Sequence, residues 1–177
     1  YMSNYFDQKV VVVTGAGSGM GRAHALAFAA KGAKLALNDF NPQSLDETVQ
    51  LLEARYPNSV FAQAIDVSNR DAMFAFADQV KTRLGMADVV INNAGIEGMF
   101  APSWQTDMAR FERTMNINFY GVVHGSHAFL PHLIEKGHGH LVNVSSIFGL
   151  VGTPNHSDYC ASKFAVRGFT ESLMTEL

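Results

Sequence analysis

The sequence predicts a doubly wound parallel α/β sheet, a three-layer α/β/α arrangement with helices on both faces. Three observations predict it. Short β-branched runs alternate with helical patterns along the chain. The first of these runs, "VVVV" at 10–13, is apolar at every position, as in a strand covered on both faces. A glycine-rich turn then joins that strand to a helix, the junction at which such sheets bind ligands.

The elements follow in order. "KVVVVT" (9–14) reads as the first strand, and "RAHALAFAAKG" as a helix stopped by Gly32. "AKLALND" (33–39) is the second strand, after which Asn41 caps a helix with Pro42 at its first position. "VFAQAIDV" (60–67) is the third strand. Ser68 with Asp71 three residues on reads as a capping box for the next helix. "ADVVINNAG" (87–95) is the fourth strand with its exit loop. A long helix is expected over 106–134, kinked or ended by Pro131. "HLVNVSS" (140–146) is the fifth strand, and a last helix runs from Ser157 to the C-terminus. Repeated strand–helix–strand units imply parallel pairing, with the chemistry at the carboxyl ends of the strands.

Composition limits the function classes. The 177 residues fit one domain, 1–177, with residues 1–8 as an N-terminal extension. Hydrophobic residues at 47% and charged residues at 16% give a soluble globular balance. A net charge of −3 without a basic run argues against nucleic acid and anionic membranes as partners. No apolar stretch has the length to span a bilayer. The first ten residues do not read as a signal peptide, and Tyr1 before Met2 reads as a remnant of an expression tag. A single cysteine, Cys160, excludes an internal disulfide and suits a cytoplasmic location.

The turn "TGAGSGMG" (14–21) carries glycines at 15, 19 and 21, spaced G-x-x-x-G-x-G. Glycines there allow a tight turn and let backbone N–H groups approach a diphosphate at the helix N-terminus. Gly15, Ser18, Gly19, Met20 and Gly21 are the candidate residues, and Gly21 also lets the helix pack against the strand. The competing reading is a tight structural turn; the strand before and the helix after favour the dinucleotide. Asp39, at the end of the second strand, is placed to accept hydrogen bonds from ribose hydroxyls and to repel a 2′-phosphate. No Arg or Lys follows in "FNPQ", so NAD is expected over NADP, with Arg22 as a cation that can approach the phosphates. Asp66 and Val67 can meet the adenine, or serve only as strand-end turn residues. Asn93, Ala94 and Gly95 of "NNAG" can tie strand ends together and let backbone approach a ligand.

Tyr159 and Lys163 are four apart and share a helix face. A free tyrosine is a poor base at neutral pH, and an adjacent ammonium favours the phenolate. Tyr159 can then exchange a proton with a hydroxyl or a carbonyl oxygen, which the Ser146 hydroxyl orients. Alone, Y-x-x-x-K is also what a core tyrosine beside a snorkelling lysine gives.

Together, "TGAGSGMG", Asp39, "DV" (66–67), "NNAG", "NINFYG", "VNVSS" and "YCASK" resemble the short-chain dehydrogenase/reductase family in order and spacing, from Lys9 onward. The resemblance implies a Rossmann fold, an oxidoreductase acting on CH–OH groups, and a catalytic set of Asn118, Ser146, Tyr159 and Lys163. It implies that Asn118 distorts the long helix and holds a relay water, and that Tyr159 and Lys163 also contact the nicotinamide ribose. Homodimers or homotetramers are implied, with Phe164, Val166 and Phe169 fitting either an interface or the core. Family members continue past the last helix here into further strands and a substrate lid, which "ESLMTEL" does not reach.

The seven histidines show no H-E-x-x-H pattern, and no metal is expected. His132, His138 and His140 read as solvent-exposed, and His156 as either a loop residue or a wall of the substrate pocket. Ile147, Phe148, Leu150, Val151, Met99, Phe100 and Trp104 point to an apolar secondary alcohol or ketone. The alternatives are an NADP-dependent carbonyl reductase and a non-catalytic dinucleotide-binding scaffold.

Overall fold

The computed structural model describes residues 5–57 and 59–177, and the reading of Tyr1 lies outside them. Five strands, β1 (Val10–Thr14), β2 (Lys34–Asp39), β3 (Val60–Ala64), β4 (Val89–Asn92) and β5 (His140–Asn143), form one sheet. Their order is β3-β2-β1-β4-β5, and every pairing is parallel. The chain builds outward from β1 through β2 to β3, then crosses to the other side of β1 with β4. The strand order therefore reverses between β1 and β4, which opens a crevice at their carboxyl ends.

The helices are α1 (Gly19–Ala29), α2 (Pro42–Glu53), α3 (Arg70–Arg83), α4 (Met108–Met115), α5 (Gly121–Lys136) and α6 (Ser157–Leu173). Alternate side chains of β1 serve opposite faces of the sheet. Val11 and Val13 pack with Ala25, Ala29, Leu45 and Leu52 of α1 and α2. Val10 and Val12 pack with Phe76, Val80, Phe129 and Leu133 of α3 and α5. All of β1 is buried, which is why the sequence there shows no alternation.

Several boundaries differ from the sequence expectation. The third and fifth strands end at Ala64 and Asn143, short of the expected 67 and 146, while the fourth ends at Asn92 and leaves 93–95 to its exit loop. Ladder pairing stops where the partner strand turns away: Ala64 is the last partner of Asp39, and Asn143 of Asn92. The capping box at Ser68 is not formed. The Ser68 hydroxyl donates to Asp66 at 2.7 Å, and Asn69 instead caps α3 by accepting the Ala72 N–H at 3.0 Å. The Asn41 cap with Pro42 is as expected, accepting from the Gln43 and Ser44 N–H groups. Pro131 does not end α5, which continues to Lys136 and stops at Gly137 with φ +70°. Burial of Phe129, His132 and Leu133 holds the helix through the lost hydrogen bond. His132 is thus buried rather than exposed, its Nδ1 accepting the Ala87 N–H at 3.3 Å, while burial pushes its pKa down. Val166 belongs to the interior and Phe164 is exposed. Among the described residues, no helix is long and apolar enough to cross a membrane.

Below the sheet, Asp88 accepts from the Val10 N–H at 2.9 Å, Lys136 at 2.5 Å and Lys9 at 3.4 Å. Burial would raise its pKa, but the Lys136 and Val10 hydrogen bonds and the two lysine charges outweigh burial and hold it below 3.8. The stabilisation is therefore complete above that ordinary value and is lost as pH falls through the lower folded one. Asp88→Asn is expected to cost about 1–3 kcal/mol at pH 7, with the gap to the parent closing in acid. Urea unfolding at pH 7 and pH 3 checks this; an equal gap at both would reject it.

Candidate functional site

The carboxyl ends of the strands surround a cleft of about 400 Å³. Gly15, Ser18, Gly19, Met20, Asp39, Asp66, Val67, Asn93, Ala94 and Gly95 all line it. Gly21 lies behind this wall. A Cβ there would overlap the Gly15 carbonyl, its carbon only 2.7 Å away, so α1 packs directly on the loop. Gly15 has φ +67° and lies against Ala94, where a Cβ would sit 2.8 Å from Cα. Gly19 has φ +50° with nothing within 4 Å of its missing side chain. No side chain caps the N-terminus of α1, although Ser18 is its N-cap. A glycine turn leading into an uncapped helix end suits the diphosphate of a dinucleotide. Asn38 and Asn93, both lining residues, keep buried side-chain oxygens without a hydrogen-bond partner.

Two loop-shaping residues escaped the sequence reading. Gly17 donates its N–H to Asp39 Oδ2 at 2.8 Å, and a Cβ there would lie 2.9 Å from that oxygen. Asp39 Oδ1 accepts the Asn41 N–H at 2.9 Å, so backbone donors hold the carboxylate at the cleft wall. Thr14 accepts the Asn93 and Ala94 N–H groups on one hydroxyl oxygen, both at 3.0 Å, and so ties the β1 loop to the β4 loop. Gly17 was visible as a further glycine in the same turn. Nothing local marked Thr14, because its partners lie about eighty residues away. Arg22 is turned from the cleft and bound to the Gly17 and Ser44 carbonyls, Thr48 and Glu47. It braces the loop against α2.

Between α4 and α5 the chain makes one π-helical turn, Asn116–Tyr120. Asn118 sits in it, fully buried. Its Oδ1 accepts the Ile96 N–H at 2.8 Å; its Nδ2 donates to the Ile96 carbonyl at 3.0 Å and to Ser162 at 3.1 Å. The long helix expected over 106–134 runs from Met108 to Lys136 and is distorted, as the resemblance implies, by a π turn where the Asn118 side chain inserts between a loop and α6.

α6 carries Tyr159 and Lys163 on one face, as the spacing requires. Gly149 lets the turn after β5 reach α6, where a Cβ would lie 2.7 Å from the Lys163 carbonyl. Ser145 donates to that same carbonyl at 2.9 Å. Ser146, beside it, accepts the Phe148 N–H at 3.2 Å. Lys163 Nζ donates to the Val144 carbonyl at 3.0 Å and lies 5.6 Å from the centre of the Tyr159 ring. Lys163 is 4% exposed, and burial pushes its pKa down from 10.5 to about 8. Gly95 faces the same group, its missing Cβ 3.6 Å from Lys163 Nζ. The cleft loop and the Tyr159–Lys163 pair thus form one continuous site.

Aromatic rings border that site. Phe148 packs edge-on to Tyr159 at 5.9 Å, and His156 packs on both Phe148 and Phe100 at 5.1 Å. His156 Nδ1 contacts the Pro154 carbonyl at 2.9 Å. A carbonyl only accepts, so Nδ1 carries the proton. Among the described residues no three of His, Cys, Asp and Glu are grouped to hold a metal ion.

Comparisons with known proteins agree with this arrangement. The chain is 48% identical over 175 residues to SadH of Mycobacterium tuberculosis, covering 97% of this chain and 62% of SadH. It is 44% identical over 169 residues to epidermal retinol dehydrogenase 2 of Mus musculus, covering 95% of this chain and 54% of that protein. The chain thus spans between half and two thirds of the length of these relatives. The crystal structure of a short chain dehydrogenase/reductase from Burkholderia phymatum in complex with NAD superposes with a TM-score of 0.93 at 38% identity. The match covers 97% of this chain and 61% of that one. Residues 9–177 match the short chain dehydrogenase family model, a span that takes in the glycine turn, the Asn118 turn and the Tyr159–Lys163 helix, and the chain belongs to that family.

Proposed function

We propose that this chain forms the cofactor-binding and catalytic part of an NAD(H)-dependent oxidoreductase that interconverts an apolar secondary alcohol and its ketone. The observation that carries this reading is the buried Lys163 ammonium held over the Tyr159 ring, 3.6 Å from where a Cβ of the cleft residue Gly95 would lie. A nicotinamide dinucleotide held by the glycine turn and Asp39 would supply the hydride chemistry that the side chains lack. The side chains handle the proton and the geometry. Ser146 holds the substrate oxygen by a hydrogen bond, and Tyr159 removes the hydroxyl proton in oxidation or returns it in reduction. Lys163 favours the phenolate by its charge. One of its N–H groups is spent on Val144, leaving two to bind ribose hydroxyls. Asn118 fixes the loop at Ile96 and so holds Gly95 against Lys163.

Asp39 favours NAD over NADP. Its carboxylate already accepts two backbone N–H groups, has spare lone pairs for ribose hydroxyls, and repels a phosphate. Phe100, Trp104, Ile147, Leu150 and Val151 are all more than half exposed beside the site and favour an apolar substrate. Pairing of two copies through α5 and α6, with Tyr120 exposed in the π turn that leads into α5 and Phe164 exposed on α6, belongs to the same proposal, as does a cytoplasmic location.

The test is reduction of NAD⁺ and NADP⁺ over a panel of apolar secondary alcohols, with retinol as a primary alcohol. Tyr159→Phe and Asp39→Ala are run beside the parent. NAD⁺-linked turnover that falls by about 10²–10⁴-fold in Tyr159→Phe is expected. Asp39→Ala should weaken NAD⁺ and narrow the preference over NADP⁺. Cofactor binding without turnover by the parent would favour a binding scaffold, and NADP⁺-linked turnover by the parent a carbonyl reductase.

A further inference from the structure

Asp158 is a fully buried carboxylate that the proposed chemistry does not use. It is the second residue of α6 and directly precedes Tyr159. Oδ1 accepts the Tyr159 N–H at 2.7 Å. Oδ2 accepts the Met99 N–H at 2.9 Å and the Thr114 hydroxyl at 3.2 Å. None of these three donors is a cation. A carboxylate is held in such a place only by several donors and by the positive end of the helix. Thr114 also reaches the Arg110 carbonyl at 3.0 Å, so its one proton is shared and the two backbone donors are the constant partners.

The segment that Asp158 holds is the one leaving β4. At Ile96 it is fixed by Asn118, and three residues on, Met99 is fixed by Asp158. Gly98, between them, lies on the carboxylate; a Cβ there would come 2.6 Å from Oδ2. Next in the chain is Phe100, whose ring packs on His156. Asp158 therefore joins, through one side chain, the backbone of Tyr159 and the loop that carries the substrate-facing ring.

Resting on the function proposed above, we propose that Asp158 is a positioning residue that sets the separation between the Met99–Phe100 wall and the Tyr159 phenol. Its effect falls more on the alcohol than on the dinucleotide, because Met99 and Thr114 lie off the glycine-turn cleft and only Tyr159, held here through its backbone N–H, also serves the nicotinamide ribose. An amide in place of the carboxylate would turn an NH2 group toward backbone N–H donors that need an acceptor.

The experiment compares Asp158→Asn and Thr114→Val with the parent, using the best alcohol from the panel, NADH binding by fluorescence, and amide exchange read by NMR in the cofactor-free protein. Asp158→Asn is expected to lower kcat/KM for the alcohol at least tenfold. The NADH Kd should stay within about threefold, and the Met99 amide should exchange at least tenfold faster. A folded Asp158→Asn with kcat/KM within twofold of the parent and a protected Met99 amide overturns the proposal. So does an NADH Kd that weakens as much as kcat/KM. If Asp158→Asn fails to fold, Thr114→Val decides. It removes one donor, and unchanged kcat/KM and Met99 exchange overturn the proposal. If the parent turns over no alcohol, the proposed function fails. Asp158 is then decided by Met99 exchange and by whether the Tyr159 ring resonances move in the variants.

Discussion

Lys163→Met is expected to abolish turnover while leaving the fold at least as stable as the parent. Burial pushes the Lys163 pKa from 10.5 to about 8, so the folded chain carries a penalised ammonium at neutral pH. That penalty is complete below about 8 and is relieved as pH rises from 8 through 10.5, where the unfolded chain also loses its proton. The difference amounts to about 3 kcal/mol. Methionine removes the penalty, and it also leaves the Val144 carbonyl without its donor, a cost of about 1–3 kcal/mol. The net effect ranges from none to about 2 kcal/mol in favour of the variant, a rise of several degrees at most for a chain of this size. Thermal melts at pH 7 and pH 10 read it directly. The variant's advantage should shrink at pH 10. A fall of more than about 5 °C at pH 7 would show that the lysine is held by stabilising contacts and not retained against its own cost. Under the function proposed here, the price of that buried ammonium is accepted because a charge in place of an apolar chain is what Tyr159 needs to act as a base.

Gly21→Ala should be the most damaging single-carbon change in the glycine turn. The added methyl would overlap the Gly15 carbonyl and lie 2.8 Å from Asn93 Nδ2, and neither can move without taking its strand end along. Asn93 Nδ2 donates to the Thr14 carbonyl at 2.9 Å, so the disturbance reaches the β1–β4 junction. A cost of about 1–3 kcal/mol is expected from overpacking. NADH affinity should fall at least tenfold, read by nicotinamide fluorescence. Gly19→Ala is the informative contrast. Its site is open, and only the φ of +50° opposes a side chain, at about 1–2 kcal/mol. Similar losses of affinity in the two variants would show that backbone strain, and not contact between α1 and the loop, governs the turn.

Much of this architecture is legible from local pattern. "VVVV" announces a strand covered on both faces, and Asn41-Pro42 announces a helix start, because in each case the determining atoms lie within a few residues. The same holds for Tyr159 and Lys163, whose shared face follows from helical geometry alone. Misreadings arose where a competing contact or burial overrode a local rule. Ser68 had the right spacing for a capping box, but Asp66 claimed its hydroxyl and Asn69 took the cap. Of the two outcomes expected at Pro131, a kink or an end, the end is not seen, because the buried Phe129, His132 and Leu133 carry α5 beyond it. His132 looked polar enough for solvent, yet the Ala87 N–H gives its imidazole a partner inside.

The sequence by itself determined the element order, the parallel sheet, and the residue types gathered at its carboxyl end, since periodicity and caps act over short separations. Tertiary structure alone decided that Thr14 ties two loops, that Asn118 spends its amide on Ile96 and Ser162, and that Asp158 is buried against Met99 and Tyr159. Apart from the Asp158–Tyr159 hydrogen bond, these contacts join residues far apart in the chain, and a buried polar group takes whichever donor or acceptor the packing of other elements brings within reach.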